Sequence, residues 1–142
     1  MDSPLGKPSP AMERLDPPER LRIRSRQVDY ANPIPGTYLT TGMRAARGFR
    51  LGKFCRSLMD PANRDSFKAD AEAYMTRCGL DEVEKTLVRS NDWNGMVRYG
   101  ANCFAIFKLA STFGVGQNRT GAGMRKQSYE DFMATRNVPG AS

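Results

Sequence analysis

Proline placement constrains this chain more than any other feature. Seven of its nine prolines lie in residues 1–36: Pro4, Pro8, Pro10, Pro17, Pro18, Pro33 and Pro35. Proline has no amide hydrogen and its ring clashes with the preceding turn, so this stretch should be extended or irregular. Within it, RLRIRSRQ alternates arginine with other residues from Arg20 to Gln27. Extended backbone would put those four guanidiniums on one side, as in a strand added to a partner. A disordered basic arm accounts for the pattern equally well. The first thirty residues hold six bases and five acids, a net +1, which weakens a nucleic-acid arm. Residues 1–33 therefore read as a proline-rich basic arm and residues 34–142 as the packed domain, entered through a Pro35-Gly36 turn.

The domain reads as all-α. Thr41 could cap a short helix to Arg47, interrupted by Gly48. Leu51, Phe54, Cys55, Leu58 and Met59 then follow the i, i+3, i+4, i+7 spacing of a buried helical face. Arg44, Arg47, Arg50, Lys53 and Arg56 recur every third residue and so spiral around that helix instead of forming one stripe. Asp60-Pro61 supplies an N-cap and an N1 proline for a helix with Phe67, Ala71, Tyr74, Met75 and Cys78 on its apolar side, ended by Gly79. A third helix starts near Asp81, with Asp81, Glu82 and Glu84 in its first turn and Val83 and Leu87 facing inward. A fourth runs from Asp92 to Tyr99, ended by Gly100. Cys103–Ala110 is apolar nearly all round and reads as the central buried helix, with strand as the alternative. A long glycine-rich loop should span Phe113 to Gln127. Ser128, with Asp131 three residues on, then caps a last short helix.

The chemistry available to the chain is narrow. Among 142 residues there is no histidine, the side chain that titrates near neutrality and most often binds iron or zinc. A self-contained triad, facial-triad iron site or zinc hydrolase site is improbable. Cys55, Cys78 and Cys103 are widely spaced and read as buried free thiols. The loop FGVGQNRTGAGMRK has four glycines but no Gly-Lys-Ser/Thr, so it is no P-loop. Two regions, Ala31–Met59 and Trp93–Tyr129, each hold five bases and no acid. Together they could frame an electropositive face for a carboxylated small molecule or an acidic protein surface. No segment has the character of a signal peptide or membrane span, so the default location is cytoplasmic, without a membrane or nucleic-acid partner.

The segments IPGTY, RAARGFRLGKF, SLM, NRDSFKADAEAYM, NDWNGM, GANCFAIFKL and STFG occur in the order and spacing of one known group. The chain resembles, from about Ile34 to Met133, the small subunit of the protocatechuate 4,5-dioxygenase family, type II extradiol ring-cleaving enzymes that include gallate-type members. SLMDPANRDSFKADAEAYM carries the most specific part, through Ser57, Leu58, Met59, Asn63, Arg64, Phe67, Lys68, Ala69, Asp70, Ala73 and Tyr74. The resemblance implies a helical domain packed on a large α/β subunit, in an α2β2 assembly. It implies Fe(II) held by that partner and not by this chain, with a catechol-type, carboxylated aromatic and O2 as substrates. It also implies a substrate-proximal lid formed by Thr112, Phe113, Gly114, Gln117 and Arg119. Gln117 stands where a covering aromatic is usual, Phe113 where an acid is, and Arg119 where an apolar residue is. No residue of this chain is expected to be catalytic or a metal ligand, and the chain alone is expected to be inactive. The alternative is a basic binding or regulatory protein that kept the fold without a dioxygenase partner.

Overall fold

Side chains that cap the backbone set most helix boundaries. The computed structural model describes residues 38, 40 and 42–136, and every element below lies in the unit Thr40–Ser142. The arm of residues 1–33, the Pro35-Gly36 turn, the expected Thr41 cap and residues 137–142 lie outside the described residues. Eight helices follow among the described residues: α1 (Gly42–Ser57), α2 (Pro61–Ala69), α3 (Ala71–Arg77), α4 (Glu82–Arg89), α5 (Trp93–Tyr99), α6 (Cys103–Thr112), α7 (Gln117–Met124) and α8 (Tyr129–Ala134). The all-α reading holds, and Cys103–Ala110 is helix, not strand.

Asp60, Asp70, Asp81, Asp92, Asn102 and Ser128 each accept a hydrogen bond from a first-turn amide of the following helix. Each satisfies a donor that would otherwise lack a partner. At the other ends, Gly79, Gly100 and Gly114 take positive φ, +77°, +117° and +74°. In each case the next amide reaches back over the turn: Leu80 to Met75, Ala101 to Met96 and Val115 to Ala110, at 2.9–3.1 Å. That closure favours glycine, which has no Cβ to strain.

Three boundaries differ from the sequence reading. Gly48 does not interrupt α1 but lies buried inside it. A Cβ there would overlap the main chain of Gly100 and Ala101, so the glycine serves close helix approach, not termination. The helix expected from Asp60 to Gly79 is broken at Asp70, which closes α2 and caps α3. Finally, the expected loop contains α7, so the connection from α6 shrinks to residues 113–116.

The glycines that made this segment read as a loop have a packing role. A Cβ on Gly121 would come within 2.9 Å of the Phe132 ring, and one on Gly123 within 2.7 Å of the Trp93 ring. Small residues let α7 lie flat against α5 and α8.

The α1–α6 pair forms the centre, with α5 against α1 and α7 against both α5 and α6. Leu51, Phe54, Cys55, Leu58, Met75, Val88, Met96, Ile106 and Leu109 are fully or nearly fully buried. Phe54, Phe67 and Tyr74 stack edge-on or tilted with centroids 5.7–6.0 Å apart, a favourable aromatic geometry.

The inward-facing residues of α4 are Glu84, Leu87 and Val88, while Val83 is exposed. Of the cysteines only Cys55 is buried; Cys78 is half-buried and Cys103 exposed. Cys103 opens α6 at the surface, so its apolar run does not bury all round.

Candidate functional site

The α6–α7 corner gathers the residues assigned to a lid. Thr112 ends α6, buried, with its hydroxyl donating to the Lys108 carbonyl at 3.0 Å. Phe113 follows as the helix C-cap, 42% exposed. Its ring is anchored on one side, edge-on to Phe67 at 5.7 Å and tilted towards Trp93 at 6.5 Å. Gly114 makes the left-handed turn described above.

Gln117 is the first residue of α7 and is exposed, as is Arg119 two residues on. The Arg119 guanidinium lies 4.5 Å from the centre of the Tyr129 ring, a cation–π contact that orients it. Gly116 precedes α7 without a side-chain cap, so the helix presents uncapped amides beside Gln117. The corner is thus a short turn pinned by Phe113, with two polar side chains and a helix start beyond it.

The electropositive face expected from the two acid-free regions is only partly present. Arg44 is buried. Arg47 donates to the carbonyls of Tyr99, 2.7 Å, and Arg98, 2.9 Å, and stacks over the Tyr99 ring. Arg50 is engaged by Glu84 at 2.7 Å and Asp81 at 2.8 Å. These three arginines close the fold rather than face a ligand. Besides Arg50, whose side chain stays about half exposed while paired, the exposed cations of these two regions are Lys53 and Arg56 on α1, Lys108 on α6, and Arg119, Arg125 and Lys126 around α7.

The longest motif of the resemblance also proves to be a structural clamp. Asn63 donates to the Ser57 carbonyl, and Arg64 to the carbonyls of Leu58 and Met59, all at 2.9 Å. The Ser57 hydroxyl pairs with that of Tyr74 at 2.7 Å. These contacts satisfy the carbonyls of Ser57, Leu58 and Met59 at the end of α1 and in the turn after it, and fix the direction in which α2 departs.

Glu84 was missed as an interior group. Its carboxylate is fully buried and accepts from Arg50, from the Asp81 amide at 2.9 Å and from the Tyr99 hydroxyl at 3.1 Å. The Asp81-Glu84 capping-box spacing was the only signal, and it does not reveal burial. Desolvation first, and then the Glu84 charge, push the Tyr99 hydroxyl up to about 12.

Among the described residues no group of three or more His, Cys, Asp or Glu side chains could hold a metal ion. The donor set of the described residues therefore does not fit an iron site. No helix of the described residues is long and apolar enough to cross a membrane.

A family model described as aromatic-ring-opening dioxygenase LigAB, LigA subunit, matches residues 51–137. The chain belongs to that family. The match covers the whole run from the middle of α1 through α8, including the α6–α7 corner. A gallate dioxygenase from Pseudomonas putida is 38% identical over 130 residues, covering 92% of this chain and 37% of that protein. The chain thus spans little more than a third of this relative's length.

Proposed function

We propose that this chain is the small, non-catalytic subunit of an extradiol ring-cleaving dioxygenase that acts on a carboxylated catechol of protocatechuate or gallate type. One observation carries the reading: a member of a ring-opening dioxygenase subunit family has no histidine and no donor cluster for a metal among its described residues. The similar gallate dioxygenase extends far beyond the region this chain matches. What the chain lacks would be supplied by a large partner subunit, in an α2β2 assembly in the cytoplasm.

Fe(II) on that partner would supply the site where the diol and O2 meet. This chain's residues would do the rest from the rim. Phe113, held by Phe67 and Trp93, gives the turn a fixed apolar surface. Such a cover excludes bulk water from the reacting centre, which strengthens electrostatic contacts and suppresses side reactions. Gln117, Arg119 and the uncapped start of α7 offer hydrogen-bond donors and positive charge to a ring carboxylate. Thr112 and Gly114 set the position of that turn.

The test is reconstitution. The chain is purified alone and with the large dioxygenase chain of its source organism, and bound iron and O2 uptake with protocatechuate and gallate are measured. Iron and turnover should appear only with both chains present. Stoichiometric iron and turnover from this chain alone would overturn the reading.

A further inference from the structure

Arg119 is held differently from the arginines that close the fold. Arg47 and Arg64 direct their N–H donors at carbonyls, and Arg50 and Arg89 at carboxylates. Arg119, exposed on α7, donates to no carbonyl or carboxylate among the described residues. Its contact there is the face of Tyr129, with the guanidinium 4.5 Å from the ring centre. A ring face attracts the charge but leaves the forked N–H donors uncommitted.

The ring itself is placed by α8. Ser128 caps that helix through the Asp131 amide at 3.0 Å, which fixes the backbone beside Tyr129. Phe132, three residues on and so on the same helix face, stands 2.9 Å from where a Cβ on Gly121 would lie. Tyr129 and Phe132 thus meet Arg119 and Gly121 of α7, and the close approach at Gly121 brings the Tyr129 ring within reach of Arg119. Glu130 and Asp131 follow the ring, both exposed, and neither forms an ion pair with Arg119. Arg77 and Arg136 lie over Tyr74 and Phe132 at 4.9 and 4.5 Å, so the contact is not peculiar to Arg119. Arg77, however, closes α3 and Arg136 follows α8, whereas Arg119 lies in the first turn of α7, beside the corner.

An exposed arginine samples many rotamers, and a ligand that binds it must freeze them. A ring that already restricts the guanidinium lowers that cost, which is the advantage of preorganisation. Resting on the function proposed above, we infer that Tyr129 is a positioning residue for substrate recognition. Its ring holds the Arg119 guanidinium in place while leaving its donors for the carboxylate of the aromatic substrate.

The experiment uses the two-chain enzyme and compares kcat/KM for protocatechuate with that for catechol. A ratio measured on one preparation does not depend on how much of it is folded. Tyr129→Leu should lower the ratio about 2- to 5-fold, the worth of an exposed cation–π contact, and the loss should lie in KM for protocatechuate with kcat little changed. Tyr129→Phe keeps a ring and should keep the wild-type ratio. In the Arg119→Ala background, Tyr129→Leu should have no further effect on it. Arg77→Ala, which removes the same kind of contact on α3, should behave like wild type. An unchanged ratio in Tyr129→Leu overturns the inference. So does an equal loss in Tyr129→Phe, which would assign the effect to the hydroxyl, or losses that add in the double variant. If the wild-type pair turns over neither substrate, it is the proposed function that fails.

Discussion

Glu84 shows how a single side chain can defeat a reading by pattern. A carboxylate in the first turn of α4 favours the helix dipole wherever it points, so the sequence reading placed Glu84 in that turn without giving it a side and turned Val83 inward. In the structure Glu84 is buried and Val83 exposed, because Arg50, the Asp81 amide and the Tyr99 hydroxyl together satisfy the buried carboxylate. A pH dependence follows from the same core. Burial raises the Cys55 thiol from 9.0 to about 12, and Tyr99 rises from 10.0 to about 12. Both groups bind their protons more tightly folded than unfolded. Their contribution is whole below pH 9 and is lost as pH rises towards 12. Stability from urea titrations should therefore fall across that interval. Tyr99→Phe should flatten the part above pH 10, at a cost of about 1 kcal/mol near neutrality for the hydrogen bond to Glu84. An unchanged slope in that variant would count against the assignment.

At the scale of elements, two glycines of α1 have opposite meanings. Gly48 touches the backbone of Gly100 and Ala101, and neither main chain can move aside cheaply. Gly52, one turn later, has nothing within 4 Å of where a Cβ would stand. Gly48→Ala should destabilise the fold by about 3 kcal/mol through overpacking. Gly52→Ala should stabilise it by about 0.5–1 kcal/mol through helix propensity. Chemical denaturation midpoints of the two variants, moving in opposite directions, check both. The caps were legible in the sequence: Asp60, Asp81 and Ser128 begin helices, and Gly79 and Gly100 end them, because capping is local chemistry. The break at Asp70 and the α7 helix were not. Asp70 sits within a continuous apolar periodicity, and the glycines of α7 are explained only by the Trp93 and Phe132 rings across from them.

For the whole molecule, the short corner between α6 and α7 changes what a lid would mean. Phe113 is tied to Phe67 and Trp93, so under the proposed function a cover built on it would act as a fixed rim, with Gln117 and Arg119 as its exposed polar side chains. Replacing each of these by alanine in the two-chain enzyme should therefore alter selectivity more than turnover. For Arg119→Ala, kcat/KM should fall about 10- to 100-fold for carboxylated catechols relative to catechol itself, the range expected when a charge-assisted hydrogen bond is removed. Equal losses on both substrates would show that Arg119 supports the fold through Tyr129 and does not read the substrate. The corner residues could be named from sequence resemblance. Their anchoring could not, since Phe67, Trp93 and Phe113 lie on separate elements and meet only after folding.

Sequence by itself determined the helical class, most caps and the absence of imidazole ligands, since each follows from local backbone chemistry or from composition alone. Tertiary structure decided which arginines remain outside. Of the regularly spaced cations on α1, Arg44 is buried, Arg47 is half-buried on carbonyls of α5, Arg50 is half exposed but held by carboxylates at the start of α4, and Lys53 and Arg56 are exposed. A periodicity of charge fixes directions around one helix. Only the neighbours packed against that helix determine which of those directions meet water.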